Sequence, residues 1–580
     1  MVEPLQSGNS SPQGITLDIS LIIQFFKKNY VILFLLACMI FGFYLRSYHM
    51  DFPVIGYHNM KENQYIPYTE FMYNANEFLD YFRTETYWIG AQEHGYFTQY
   101  EFPLIPWIIL SLWGVFGIKL WAARFVIILF SVASIPLLYL VGKKLTDNTL
   151  LILIACLFFT IMPINIFFGR NVQPEAPGLF FILLATYFFF CWRESIILGQ
   201  KGYNNFLLFS SSILLAILLK IPNGIGLVPL LFFVPYKNLY QNKKSFVYFI
   251  ILFVFIISLF PLWVKFSQWT MPGAATVGTS GFSESFQEVQ YNIHLTLSMS
   301  FWNEYYPAFH AFVIDNFTLW FFWLALFGVI FGFLKYNTNL GLFLIGSFFS
   351  IFIYILCFAD KVRAHAYYQV VFLPLICFAC AYALYILASI LNQQLGNKYE
   401  KYLFITLTVI WLFITFPSLQ DSNNRVFDTI YYGEDIAGAY INVHSESDER
   451  VFIDGVFSQS VGILWHAHRY GIEEITANIT RFQELEDTLN FKWVVLYGPG
   501  IGTIQTKQEV WEYIQTNYTI RQVGLMIQNS QYAPVYLVLE KGGVVDLTSF
   551  VQNKIPVLAT TYEITDGSID FYTISDEVIS

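Results

Sequence analysis

Long apolar stretches alternate with shorter polar ones over most of the chain. Eleven runs are apolar enough for membrane-spanning helices: 30–46, 124–142, 149–163, 177–192, 205–220, 222–236, 246–265, 316–334, 339–358, 368–390 and 402–417. A helix perpendicular to the bilayer needs about 20 apolar residues, so the ends of the shorter runs are expected to extend into flanking residues. The pattern predicts a multi-spanning α-helical membrane protein with about 11 transmembrane helices.

The apolar run 102–117 is ambiguous because it is short and begins with Pro103 and Pro106. If it crosses the bilayer, every later helix reverses its direction. Cytoplasmic segments carry an excess of Lys and Arg, and most of the basic residues between spans lie in the cytoplasm if this run follows the outer surface. We therefore predict a juxtamembrane helix here, a cytoplasmic N-terminus, and two long outer loops at 47–123 and 266–315.

The pattern changes after about residue 420. Three strand-like apolar runs with nearby glycines and one segment of helical spacing follow: RVFIDG (450–455), KWVVLYG (492–498), VYLVLEKGG (535–543) and 475–489. These elements predict a small extracytoplasmic α/β domain at 421–580, after a transmembrane domain at 1–420.

Composition agrees with a membrane protein. Of 580 residues, 56% are hydrophobic and 12% are charged, whereas soluble domains are about 25% charged. These values argue against a soluble globular enzyme, a disordered chain and a nucleic-acid-binding protein. The segment 421–580 holds 22 acidic and 9 basic residues, so the net charge of −10 comes from the tail. An acidic tail repels nucleic acid.

Ionisable residues at the outer ends of the spans are informative, because each costs about 2.5–3.5 kcal/mol at the centre of a membrane helix. The predicted topology puts these on the outer face: Lys61, Glu62, Glu101, Arg170, Glu175, Lys220, Lys361, Arg363 and His365. A single interfacial Lys or Arg is simply explained by snorkelling to the headgroups. Several in one leaflet favour a cationic pocket for a phosphate carried on a lipid. Glu62 would then accept the proton of an acceptor hydroxyl, and a solvated loop acid is the alternative.

Five stretches, in this order, resemble segments of the GT-C membrane glycosyltransferases: GYHNMKENQYIPY (56–68), YEFPLIPWIILSLWGVFGIKLWAARF (100–125), MPINIFFGRNVQPEAPGLFFILLATYFFF (162–190), LLKIPNGIGLVPLLF (218–232) and RAHAYYQVVFLPLICFACAY (363–382). The chain looks most like the branch that holds the protein O-mannosyltransferases and the lipid A aminoarabinose transferase. The resemblance covers about residues 25–420 and lies in order and topology more than in any single motif.

The resemblance implies an enzyme of the cell membrane, a hexosyl- or pentosyltransferase. It would move a sugar from a polyprenyl-phosphate donor to an acceptor hydroxyl on the extracytoplasmic face, with inversion. Glu62 would be the catalytic base, and Arg170, Lys220 and Arg363 would bind the donor phosphate. The other pocket residues would be His58, Lys61, Glu101, Glu175, Lys361, His365, Tyr367 and Tyr368. The expected partners are the donor, a lipid, glycan or protein acceptor, and membrane lipids, without nucleic acid.

One departure from the family pattern bears on metals. The O-mannosyltransferase branch has adjacent Asp-Glu where this chain has Lys61-Glu62. We therefore expect no required cofactor; a divalent metal stays open, but the sequence offers it no ligand set. Two alternative functions remain. A multi-pass secondary transporter would need an internal repeat and ionisable groups near the midplane, which the sequence does not show. An oligosaccharyl transferase or polymerase of the same fold would need a metal-binding set of acids.

Overall fold

The computed structural model of the protein describes residues 19–89, 95, 101–272, 282–304, 306–455, 460–474, 478–498, 501, 507–552 and 554–576. Up to residue 427 the described chain is mainly helical. Its α-helices are Ile19–Arg46, Glu62–Tyr73, Leu104–Phe116, Leu120–Leu145, Thr149–Ile161, Pro163–Phe167, Glu175–Ile197, Tyr203–Leu219, Val228–Leu231, Tyr236–Gln241, Lys243–Ile257, Leu259–Thr270, Phe282–Thr296, Met299–Glu304, Tyr306–Leu334, Asn339–Cys357, Ala359–Ala364, Leu373–Gln394 and Glu400–Phe427. Short 3-10 helices lie at Phe78–Phe82, Ile221–Leu227 and Ala366–Phe372.

Eight helical stretches in the described ranges are long and apolar enough to cross a membrane: Lys27–Arg46, Leu120–Leu145, Glu175–Ile197, Lys243–Thr270, Tyr306–Leu334, Asn339–Cys357, Ala366–Gln394 and Glu400–Phe427. Each coincides with one of the predicted spans. The other three predicted spans correspond to shorter apolar helices, Thr149–Ile161, Tyr203–Leu219 and Ile221–Leu231. The prediction of a multi-pass helical membrane protein is confirmed, and the shorter helices explain why the sequence yields a larger number of runs.

The predicted juxtamembrane segment forms the helix Leu104–Phe116, whose 13 residues are few for crossing a bilayer. Ile105, Ile109 and Trp113 recur every four residues and bury one face of it. Both predicted outer loops contain helices. The helix Glu62–Tyr73 in the first loop is buried along most of its length, so this loop is a packed part of the molecule.

A different ion pair marks each of the two ends of the helical part. Near the start of the helix Leu120–Leu145, Arg124 pairs with Glu62 of the first loop. At the other end of this helix, Lys144 pairs with Glu194 at 2.7 Å. We call the end with Arg124 the site end and the end with Lys144 the far end. Most of the predicted site residues lie at the site end.

The C-terminal part is an α/β domain, as predicted. Its strands are β1 (Arg450–Asp454), β2 (Gly471–Glu473), β3 (Phe491–Tyr497), β4 (Tyr518–Gln528), β5 (Gln531–Lys541), β6 (Val557–Ile564) and β7 (Gly567–Ser575). Its helices are Glu434–His444, Gly462–Ala467, Ile479–Leu489, Gln508–Asn517 and Leu547–Val551. The described strands form one sheet in the order β2-β1-β3-β5-β4-β7-β6. β1 pairs in parallel with β2 and β3, and the remaining pairs are antiparallel.

The predicted elements of this domain are present at the expected places. The three predicted strands correspond to β1, β3 and β5, and the predicted helix 475–489 is Ile479–Leu489, with 475–477 outside the described residues. The boundary differs from the predicted residue 420, because the helix Glu400–Phe427 runs seven residues further without a break.

The α/β domain packs on the first outer loop at the site end. Trp88 of the loop pairs with Gly471 of β2 as a short parallel bridge. The indole Nε1 of Trp465 donates a hydrogen bond to Glu70 Oε2 at 3.0 Å. The loop therefore joins the sheet to the helical part, and its residues are held from both sides.

Candidate functional site

The first-loop helix Glu62–Tyr73 brings several predicted residues to the site end. His58 precedes it with a positive φ of 48°, in the left-handed region that non-glycine residues seldom adopt. This turn leads the chain into the helix, so His58 and Lys61 lie just before its start while Glu62 is its first residue. Lys61 and Glu62, although adjacent in the sequence, therefore contact different partners.

Glu62 is held by an arginine that the sequence did not single out as a site residue. Arg124 donates from Nε to Glu62 Oε1 at 2.8 Å and from Nη2 to Oε2 at 3.0 Å. The Val172 amide also donates to Oε1, at 3.2 Å. Burial raises the pKa of Glu62, but the Arg124 guanidinium outweighs burial and the net pKa lies below its ordinary value. Both carboxylate oxygens are thus occupied and the group holds a proton weakly, which disfavours it as a base.

Arg170 belongs to the same network. Its guanidinium donates to the Tyr48 carbonyl and lies 4.8 Å from the ring centroid of Phe427. Burial, followed by repulsion from Arg124, lowers the pKa of Arg170 to about 9. Arg124 also donates to the carbonyls of residues 49, 50 and 52. We call Glu62, Arg124 and Arg170 the arginine cluster; it fastens the chain that leaves the first membrane helix.

A second buried ion pair joins Lys220 and Glu175. The helix Tyr203–Leu219 ends before Pro222, and Lys220 follows in an extended conformation. Glu175 begins the helix Glu175–Ile197, where a negative charge is favourable. The Lys220 ammonium pairs with Glu175 Oε1. Within the described protein, the other oxygen, Oε2, is buried without a hydrogen-bond partner.

The Lys220 ammonium also faces two aromatic rings. It lies 3.7 Å from the ring centroid of Tyr368 and 4.5 Å from that of Tyr367. Cation–π contacts of this kind are strongest where water is excluded. The side chain of Lys220 is 9% exposed and that of Glu175 is 4% exposed, so the pair is shielded from bulk water.

A second lysine–carboxylate pair lies nearer to solvent. Lys61 Nζ is 3.0 Å from Glu101 Oε1, and the two side chains are 12% and 13% exposed. The Tyr65 hydroxyl donates to the other oxygen of Glu101 at 2.8 Å. Burial raises the pKa of Tyr65, and the charges of Glu101 and Glu175 raise it further. Tyr65 therefore contacts Glu101 directly and is also influenced by the charge of Glu175.

Two histidines complete this region. The Ala366 amide donates to His58 Nε2 at 3.4 Å, and the ring centroids of His58 and His365 are 5.8 Å apart. His365 stacks on Tyr367 at 5.0 Å. Burial lowers the pKa of His58 to about 4. Both imidazoles are consequently neutral at physiological pH.

The electrostatic surroundings of His365 show which predicted residues meet. Burial, together with repulsion from four basic groups, lowers the pKa of His365 to about 2; these groups are His58, Lys220, Lys61 and Lys361. We call the whole group the lysine–carboxylate cluster: His58, Lys61, Glu101, Glu175, Lys220, Lys361, His365, Tyr367 and Tyr368. All were named from the sequence, as pocket residues or, for Lys220, as a phosphate ligand.

The three predicted phosphate ligands are distributed over separate networks. Arg170 lies in the arginine cluster, and Lys220 lies in the lysine–carboxylate cluster. Arg363 pairs with Asp360 of its own short helix at 2.7 Å and is 39% exposed. The predicted base Glu62 likewise faces Arg124 and Val172. Among these residues, Lys220 contacts three other predicted pocket residues, Glu175, Tyr367 and Tyr368.

Two buried amides were missed in the sequence. Gln64 and Gln173 are 2% and 1% exposed. Neither polar atom of either side chain has a hydrogen-bond partner in the described part of the chain. They flank the contact between Glu62 and Val172 on the two segments that carry the candidate site. Buried amides normally have partners, so these groups offer hydrogen bonds to a bound molecule or water. Neither the periodicity nor the composition of the sequence singles them out.

Comparisons with known proteins agree with this architecture. Residues 101–264 match the family described as Dolichyl-phosphate-mannose-protein mannosyltransferase. No curated protein matches the chain. One similar solved structure is the AglB oligosaccharyltransferase of Archaeoglobus fulgidus, in complex with an inhibitory peptide and a dolichol-phosphate. It superposes with a TM-score of 0.59 at 13% sequence identity. The superposition covers 88% of this chain and 74% of AglB. ArnT from Cupriavidus metallidurans in the apo state superposes with a TM-score of 0.51 at 11% identity, over 88% of this chain and 98% of that one.

These findings confirm the predicted GT-C fold and the resemblance to the membrane glycosyltransferases that have it. The family match covers the juxtamembrane helix and the segments that carry Arg124, Glu175 and Lys220. At these identities, the superpositions speak for the fold alone. The roles of individual side chains therefore depend on their contacts in this chain.

Proposed function

We propose that the protein is an integral-membrane glycosyltransferase that moves a sugar from a polyprenyl-phosphate donor to an acceptor hydroxyl at the site end. The observation that carries the proposal is the lysine–carboxylate cluster, in which the shielded pair Lys220–Glu175 and the more accessible pair Lys61–Glu101 share one region. The family match and the GT-C fold support the same reaction class.

The lysines supply what a phosphate leaving group needs. As the bond between the anomeric carbon and the phosphate oxygen breaks, negative charge develops on the phosphate, and fixed cations there lower the barrier. The Lys220 ammonium lies against the rings of Tyr367 and Tyr368, on which His365 stacks. Lys61 follows His58 by three residues, and the ring centroid of His58 is 5.8 Å from that of His365. The AglB structure is described with a dolichol-phosphate, a ligand of the kind proposed for this chain.

Glu175 is our candidate for the general base in place of Glu62. Its Oε2 is a carboxylate oxygen without a hydrogen-bond partner in the described protein, whereas both oxygens of Glu62 accept from Arg124. In the proposed step the acceptor oxygen bonds to the anomeric carbon while its proton passes to Glu175 Oε2. The phosphate departs from the opposite side with its bonding electron pair, which inverts the anomeric centre.

Glu101 and the buried amides would position the substrates. Glu101 is more accessible than Glu175 and is held by Lys61 and Tyr65, so it faces the side from which an acceptor would arrive. Gln64 and Gln173 would exchange hydrogen bonds with hydroxyl groups of the donor sugar. A site built to bind a hydroxyl strongly rejects a sugar that lacks it.

We propose an orientation with the N-terminus in the cytoplasm and the α/β domain outside. The far end carries Lys143 and Lys144, followed by the basic segment with Lys237, Lys243 and Lys244, as expected for a cytoplasmic face. The α/β domain packs at the opposite end, on the first loop. The donor would then react on the extracytoplasmic side.

We also propose that transfer needs no metal. Among the residues that the structure describes, no group of three or more His, Cys, Asp or Glu side chains could hold a metal ion. The lysines would supply the positive charge at the phosphate. Retention of the rate in excess EDTA is the expected result, and a loss that Mg²⁺ or Mn²⁺ restores would contradict it.

A second candidate function is the transfer of a whole oligosaccharide. The AglB oligosaccharyltransferase has the same fold as this chain, which supports this alternative. The two functions differ in the donor that they consume. A polyprenyl-phosphate monosaccharide serves the first, and a lipid-linked oligosaccharide serves the second.

The test uses membranes that contain the full chain, supplied with radiolabelled polyprenyl-phosphate hexoses and pentoses or with a lipid-linked oligosaccharide. Label leaving the donor lipid and entering lipid, glycan or protein fractions reports transfer. Glu175→Gln should lower the rate by about 10²–10⁴-fold, the usual contribution of a general base. Glu304→Gln, at an exposed acid of the second outer loop, is the matched control. Activity with the oligosaccharide alone would select the second function, and no transfer from any donor would refute both.

A further inference from the structure

The far end of the helical part contains an apolar cavity away from the candidate site. Its volume is about 370 Å³, and it lies between the helices Glu175–Ile197, Tyr203–Leu219 and Lys243–Ile257. Apolar side chains alone are exposed to it, among them Phe189, Trp192, Phe206, Phe249 and Val254. Its size falls in the range of about 300–1,000 Å³ that is typical of ligand pockets.

A second cavity, of about 690 Å³, adjoins the first. Tyr236, Leu239 and Phe246 line both cavities, so the two lie side by side. The second cavity is also lined by Lys237 and Lys243, whose side chains are exposed. The combined space therefore has an apolar interior and a positively charged mouth.

The segment that forms this mouth carries only basic charge. Between Glu194 and Glu284 the sequence contains no acidic residue, and Lys244 directly follows Lys243. Contacts place the region at the far end: Arg193 Nε donates to the Phe233 carbonyl at 2.9 Å, one residue before the Glu194 that pairs with Lys144. A ligand here would lie at the end of the molecule opposite to Glu175.

We propose that the paired cavities bind a glycerophospholipid with an anionic headgroup. One acyl chain would occupy the aromatic-lined cavity, and the headgroup phosphate would rest between Lys237 and Lys243. Apolar surface left open beside a membrane interface is covered by acyl chains, and each lysine near an anionic headgroup adds electrostatic attraction. This site is independent of the proposed transferase reaction and distinct from its donor site.

The test measures lipids retained by the purified full-length protein in native mass spectrometry. The delipidated protein is incubated with phosphatidylglycerol or phosphatidylcholine of identical acyl chains. The wild type should retain phosphatidylglycerol about tenfold better, and Lys237→Ser with Lys243→Ser should abolish this preference. Lys398→Ser with Lys401→Ser removes two exposed lysines from the same end and should leave the preference unchanged.

A second variant tests the cavity itself without changing charge. Val254 lines the aromatic cavity and is 61% exposed, so Val254→Trp can fill the space without disrupting the core. It should reduce the retention of both lipids to the level of nonspecific adducts. Equal retention of the two lipids by the wild type would overturn the proposal. So would an unchanged preference in the double lysine variant, or displacement of phosphatidylglycerol by an equimolar polyprenyl phosphate.

Discussion

Two buried carboxylate–cation pairs lie at the same end of this protein, and they differ in what their partners leave free. Glu62 accepts two hydrogen bonds from Arg124 and one from the Val172 amide. Glu175 pairs with Lys220 through one oxygen, and its other oxygen has no partner within the described protein. Both pairs are almost completely buried. The first is a closed network, while the second keeps the capacity to bind something else.

Burial and charge alone therefore do not identify a chemical site in this molecule. An arginine offers a planar fork that satisfies both oxygens of a carboxylate at once, whereas a lysine is a point charge that satisfies one of them. The arginine cluster also fixes backbone carbonyls after the first membrane helix, as expected of a structural element. The candidate site is distinguished by Glu175 Oε2, a carboxylate oxygen beside Lys220 that has no hydrogen-bond partner within the described protein.

Breaking the closed pair should have the largest effect on stability. Glu62→Ala leaves the Arg124 guanidinium buried without its counterion, which typically costs about 3–5 kcal/mol. We expect a much lower unfolding temperature for the detergent-solubilised protein, with Glu304→Ala as the control at an exposed acid. Glu62→Gln should be milder and should keep most of the transfer rate per folded molecule. A stable Glu62→Gln protein that has lost transfer by a hundredfold or more would instead restore Glu62 as the base.

Changing the open pair should alter catalysis more than folding. Lys220→Met removes the cation that pairs with Glu175 and that we place near the departing phosphate. The negative charge that develops on the phosphate would then lose a fixed partner, so kcat/KM should fall by about 10²–10³-fold and donor KM should rise. Lys220→Arg keeps the charge and should lose much less activity. An unchanged kcat/KM in Lys220→Met would separate Lys220 from the reaction.

The sequence predicts the membrane helices well because each long helix satisfies its own backbone hydrogen bonds in lipid and so appears as one apolar run. The run at 402–417, for example, corresponds to part of the helix Glu400–Phe427. The seven-stranded order of the sheet could not be predicted, because it depends on pairing between distant segments such as β4 and β7.

The members of the site could be predicted better than their partners. Charged residues are rare in this chain, so Glu101, Glu175 and Lys220 stand out at the ends of apolar runs, and Lys61 lies beside Glu62 in the first outer loop. Both oxygens of Glu62 accept hydrogen bonds from Arg124. Arg124 is 62 positions away in the sequence and reaches Glu62 only in the folded chain. The composition of a single sequence does not show such a pairing.

The smallest expected effect is the dependence of stability on pH. The two clusters should lose their contributions to stability in different pH ranges. The pKa values of His58 and His365, about 4 and about 2, lie below the ordinary value of about 6.5, so the unfolded chain binds more protons than the folded one. Their contribution is complete above pH 6.5 or so and declines as the pH falls below it. The pKa of Glu62 is also lowered, but from a carboxylate value, so its contribution declines only below about pH 4.5.

From about pH 7 to about pH 6 the free energy of unfolding of the wild type should therefore fall by about 1–2 kcal/mol in all, and it should fall less for His58→Asn with His365→Asn. Unfolding temperatures measured over this range would show the difference. His294→Asn, at an exposed histidine, should behave like the wild type. Glu62→Gln should follow the wild type in this range and diverge only in stronger acid. If the histidine variant kept the full slope, the two imidazoles would be solvated, and the lysine–carboxylate cluster would be more open to water than its contacts indicate.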